Sequence, residues 1–112
     1  MIFWHRTLYL IDHGAALYFH HDWDNAAEPF ASSAFPAIRH HVLLPWADAI
    51  EEVSGALRGR LSPSVLTEIL DQVPDAWLPA SRRTAYVDLL VRRLSASSNF
   101  VQEAVRARAE IV

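Results

Sequence analysis

The chain has 112 residues, 52% of them apolar and 21% charged, which is the composition of one small folded domain and not of a disordered tail. Its formal net charge of −3 argues against a protein that wraps nucleic acid. All ten basic residues are Arg; the absence of Lys excludes a Walker A loop, a Schiff-base enzyme and the lysine with which protein kinases grip ATP phosphates, and the absence of Cys excludes disulfides and thiolate chemistry.

No apolar run reaches the ~18 residues that a membrane-spanning helix needs. The apolar opening Met1–Trp4 meets His5 and Arg6 too early for a signal peptide, so the expected setting is cytoplasmic, with no membrane and no nucleic acid among the partners. A single domain over 1–112 is expected, in two parts: 1–44, which holds all six histidines and most of the aromatics, and a helical part over 45–112.

In chain order, Met1–Trp4 and Thr7–Ile11 are short bulky runs around a His-Arg break, the pattern of a β-hairpin. The second run leads into Asp12-His13-Gly14, where Gly14 is expected to supply a positive φ and turn the chain sharply. From Ala15 to Arg39 the chain reads as irregular with a short helix or two, punctuated by Pro29 and Pro36. Trp46, Ile50, Val53 and Leu57 form a stripe at helical spacing, with Gly59 as the C-cap. Ser62 and Pro63 open the next helix, whose inner face is Val65, Leu66, Ile69, Leu70 and Val73, with Pro74 ending it. Ser81 starts a third, with Tyr86, Leu89, Leu90 and Leu94 inward. Asn99 with Gln102 forms a capping-box pattern opening the last. The expected fold is therefore α+β and mostly α: an N-terminal hairpin and irregular segment, then about four helices.

A strand leading into Asp and a small residue places a carboxylate at the mouth of a sheet. Phosphoryl-transfer enzymes need one there, because Mg²⁺ on the phosphates is held by hard oxygen ligands. The stretch Trp4 to Trp23, WHRTLYLIDHGAALYFHHDW, closely resembles a segment of the HipA-like kinases, a bacterial family with a protein-kinase-like fold. There a hairpin leads into Ile-Asp-His-Gly, the counterpart of the kinase Asp-Phe-Gly. His41-Val-Leu-Leu-Pro45, Val73-Pro-Asp-Ala-Trp-Leu78 and Arg83-Thr-Ala-Tyr-Val-Asp-Leu-Leu90 resemble the family's C-terminal helical part, in the same order. The resemblance spans nearly the whole chain; its first segment is quite specific, the helical pieces less so.

The resemblance implies the C-terminal part of a kinase, with ATP- and Mg²⁺-dependent phosphoryl transfer to a hydroxyl in the intact family. It carries over one residue, Asp12, as a metal ligand; His13 and Gly14 match the motif without a catalytic role. The family's catalytic loop, with its Asp and Asn, its phosphate-binding loop and its lysine fall before this hairpin and have no counterpart in the 112 residues. No catalytic or ATP-binding residue is therefore expected here, and neither Mg²⁺ nor ATP is expected to bind tightly. The partner implied is the missing N-terminal lobe or a second copy of the chain.

Other features have simpler readings. His20-His21 with Asp22 and Asp24, and His40-His41, offer zinc or nickel ligands, but adjacent histidines point apart and the simpler reading is hydrogen bonding to backbone. Arg82-Arg83 and Arg92-Arg93 form a basic stripe or a solvated helix face, and Glu51-Glu52 and Arg58-Gly-Arg60 read as solvated helix surface. Trp4, Phe30 and Phe35 read as core of an intact fold. The alternative to a kinase segment is a non-catalytic interaction module that dimerises or binds a partner through apolar surface.

Overall fold

The structure, a computed structural model, describes residues 1–112 apart from the side chain of Ala15. The protein is α+β and mostly helical, with one two-stranded antiparallel sheet and five α-helices linked by 3₁₀ turns. The chain divides into two compact units, Met1–Phe30 and Ala31–Val112.

In the first unit, β1 (Ile2–Trp4) pairs with β2 (Thr7–Tyr9) in the register Ile2 to Tyr9, Phe3 to Leu8 and Trp4 to Thr7. The two turn residues His5 and Arg6 both have positive φ, 47° and 65°. That left-handed pair gives the twist a two-residue hairpin needs, although Asn-Gly adopts it at lower cost. All six strand residues are exposed. Beyond two short 3₁₀ turns, α1 (Trp23–Ser32) contains Pro29, which lies inside the helix where the sequence suggested a break. Proline removes one backbone bond from the ladder. The aromatic packing beside it favours the helix: Phe19, fully buried, lies 4.6 Å from Phe30 and 5.6 Å from Trp23 between ring centroids, and Tyr18 meets Phe30 edge-on at 5.5 Å.

The second unit is built on α2 (Ile50–Arg60), α3 (Pro63–Asp71), α4 (Ala80–Ser95) and α5 (Ser97–Ala109). α3 begins as expected: Ser62 Oγ accepts a hydrogen bond from the Val65 amide at 3.3 Å, and Pro63 takes the first position, where no amide hydrogen is needed. α3 packs on α4, and Leu66, Leu70, Leu78, Tyr86 and Leu89 are buried. α5 packs on α2, on α4 and on the 3₁₀ turn Pro36–His40; Leu44, Ala104 and Ala107 form a core against which Ile38 and Ile50 lie.

Three expectations change. Gly59 does not cap α2, which continues to Arg60 with Leu61 as its C-cap. Of the stripe proposed for that helix, only Ile50 is half-buried; Trp46 lies before the helix and is exposed, as are Val53 and Leu57. α5 begins at Ser97, not at Asn99, because the Asn99 side chain donates its amide to the Ser32 carbonyl at 3.0 Å instead of capping.

Burial holds the Tyr86 phenol above its ordinary value, a shift that the nearby Arg82 opposes. The folded protein therefore resists ionising this group. Its contribution is fully present below the unfolded phenol's pKa of about 10 and falls as pH rises beyond it. Alkaline unfolding curves of Tyr86→Phe should lose that part of the pH dependence; an unchanged curve would remove Tyr86 as its source.

Candidate functional site

Asp12 follows the hairpin by three residues. The chain turns there through a left-handed backbone conformation at Asp12 itself, φ 62° and ψ 42°, and continues into the 3₁₀ turn His13–Ala15. The sequence assigned the left-handed position to Gly14, yet no glycine in the described structure has positive φ. Asp is among the few residues that adopt this region readily, because its short side chain costs little there. The left-handed residue after β2 is thus the one that bears the carboxylate.

The Asp12 side chain is exposed and does not cap the turn that follows. It is one hard anionic oxygen donor, suited to Mg²⁺ as one ligand of a shell completed by water and phosphate. Among the described residues no group of three or more His, Asp or Glu comes together to hold a metal ion. A metal at Asp12 therefore needs ligands from substrate or from another segment.

The histidine pairs are all exposed. The rings of His20 and His21 meet at right angles, 5.6 Å between centroids, while His41 Nδ1 accepts from the Leu43 amide at 3.2 Å. That last contact is the backbone role the sequence favoured.

The arginine stripe on α4 is not a solvated face. Arg83 donates to the Val73 carbonyl at 2.5 Å and to Asp75 at 2.7 Å, which fastens the start of α4 to the turn after α3. Arg93, half-buried, donates to the Ser33 carbonyl and lies 4.3 Å over the Phe100 ring. Arg83 and Arg93 are thus structural. On α5, Arg106 bridges Glu103 and Glu110, and Arg39 reaches Glu110 at 3.3 Å. The hydrogen bond from Arg106 holds the Glu103 carboxyl below the usual carboxylate range.

A further feature went unread in the sequence: an open apolar groove of about 670 Å³ along α2, between that helix, the Phe35–Ile38 segment and the facing parts of α4 and α5. Phe35, which lines it, is held at φ 54° immediately before Pro36, an unusual conformation for a bulky residue. The signal was present in Ile50, Val53 and Leu57, which form a stripe at helical spacing. All three line the groove.

Comparison of the chain with protein-family models, with curated proteins and with solved structures finds no match.

Proposed function

We propose that the chain is the C-terminal segment of a HipA-like kinase, in which Asp12 contributes the metal-holding carboxylate for ATP- and Mg²⁺-dependent transfer of phosphate to a hydroxyl. The observation that carries this reading is the hairpin β1–β2 followed three residues later by an exposed Asp12 in a left-handed backbone conformation, within the stretch that resembles the family's Ile-Asp-His-Gly motif. In protein kinases the Asp of the equivalent Asp-Phe-Gly motif holds Mg²⁺ on the phosphates, and an exposed carboxylate is free to take that role. Bound Mg²⁺ would neutralise charge on the phosphates; Asp12 would orient it. The remaining machinery belongs to the N-terminal lobe in this reading. Phosphoryl transfer by a chain carrying that lobe, with and without the Asp12 carboxylate, is the test.

A second reading, an interaction module, rests on a different observation. Phe3 is 70% exposed, Trp4 62% and Leu10 67%, and Ile2, Leu8 and Tyr9 are exposed beside them. A lone two-stranded hairpin is marginal in water, and a contiguous apolar patch favours association. The isolated chain is therefore expected to form a symmetric dimer through this ribbon. Sedimentation at micromolar concentration should show the dimer, and Phe3→Ser with Leu10→Ser should return it to monomer. A clean monomer that binds no hydrophobic dye would contradict the prediction.

A further inference from the structure

The groove along α2 lies wholly within the unit Ala31–Val112, so what it holds is independent of the kinase reading. Its walls are Ile38, Ile50, Val53, Leu57, Phe100 and Val101, and its volume of about 670 Å³ falls inside the range of small-molecule sites. The charges on its margin are few and placed apart. Asp48 precedes α2, whereas Arg58 stands in the last turn of that helix. From Ile50 to Arg58 the helix rises roughly 12 Å. The apolar stretch is thus about two turns long, shorter than the three to four turns of an average protein helix.

The Arg58 side chain makes no ion pair or hydrogen bond among the described residues. Arg93 adds a second positive charge to the lining from its place on the Ser33 carbonyl and the Phe100 ring. Along α2 the lining is therefore cationic at Arg58, apolar between, and acidic at Asp48 before the helix begins. We propose that it binds a medium-chain aliphatic carboxylate, with the carboxylate on Arg58 and the alkyl tail along Leu57, Val53 and Ile50. A planar guanidinium suits a carboxylate, because two parallel N–H donors meet two oxygens.

The arrangement predicts an order of affinities. Each methylene buried along the floor should tighten binding about fourfold, from hexanoate through decanoate. The gain should stop once the tail reaches Asp48, so hexadecanoate binds no more tightly than decanoate. Decanedioate, whose second carboxylate would meet Asp48, should bind at least tenfold more weakly than decanoate.

Titration calorimetry of the full 112-residue chain, below the micelle concentration of each ligand, tests this. Saturable decanoate binding is expected, lost in Val53→Asp and weakened about tenfold in Arg58→Gln. Decanol should bind both the parent chain and Arg58→Gln equally. Both positions are exposed, and circular dichroism of each variant confirms that the helices persist. Absence of saturable decanoate binding overturns the proposal, as does an Arg58→Gln variant that binds decanoate like the parent. A dimer that Val53→Asp dissociates and decanoate does not would also overturn it, by showing a second copy in the groove.

Discussion

Asp12→Asn, in a chain that carries the proposed N-terminal lobe, should abolish phosphoryl transfer while the protein stays folded. The exchange replaces one carboxylate oxygen by an amide nitrogen with almost no change of shape. Asp12 is exposed and makes no cap to the 3₁₀ turn after it, so no structural bond is lost. Asn also tolerates the left-handed backbone that Asp12 occupies. What disappears is the anionic ligand for Mg²⁺. In phosphoryl transfer, positioning and charge neutralisation provide nearly all the catalysis, so losing the metal's anchor removes most of the rate. The 112-residue chain by itself should show no ATP turnover: it contains no Lys, and one carboxylate holds Mg²⁺ only at millimolar concentration. A coupled ATP-turnover assay with unfolding curves checks both statements. Full activity in Asp12→Asn, or turnover by the short chain, would contradict the assignment.

Leu89→Ala should destabilise the second unit by about 2–5 kcal/mol, the usual cost of emptying a filled core position. Leu89 is 1% exposed on α4, the helix that packs on α3, where Leu66 and Leu70 are buried. Its neighbour Leu90, assigned to the same inner face from the sequence, is only half-buried, and Leu90→Ala should cost clearly less. Arg93→Gln should cost about 1–3 kcal/mol, because it strips the Ser33 carbonyl of its donor. Urea unfolding of the three variants ranks them. If Leu90 proved as costly as Leu89, the inner face of α4 would be drawn wrongly.

The contrast between Leu89 and Leu90 shows where the sequence was legible. Features set by neighbouring residues could be read: the hairpin with its two-residue break, and the Ser62–Pro63 start of α3. Features decided by residues distant in the chain could not. Asn99 carries a capping pattern, but the Ser32 carbonyl, 67 positions away, takes its amide. Arg93 looked solvated until Ser33 and Phe100 came beside it. Pro29 looked like a breaker, and the packing of Phe19 against Phe30 outweighs the one backbone bond it removes.

At the candidate site the sequence placed the carboxylate correctly after a hairpin but misplaced the turn. Gly14 is free to adopt positive φ, and so was the natural candidate. The left-handed conformation falls two residues earlier, at Asp12, and Gly14 sits in an ordinary 3₁₀ turn. The groove escaped for a related reason. Helical spacing identifies an apolar face, not what lies opposite it, and the Val53–Leu57 face of α2 meets open space.

The kinase reading is tested most directly by sequencing the genomic DNA upstream of the Met1 codon in its own frame. The reading requires an open frame there. Shortly before the hairpin it should encode a catalytic loop with an Asp and an Asn, and further upstream a lobe bearing the ATP-gripping lysine. An in-frame stop codon with none of these elements would contradict it and leave the exposed hairpin to the interaction module.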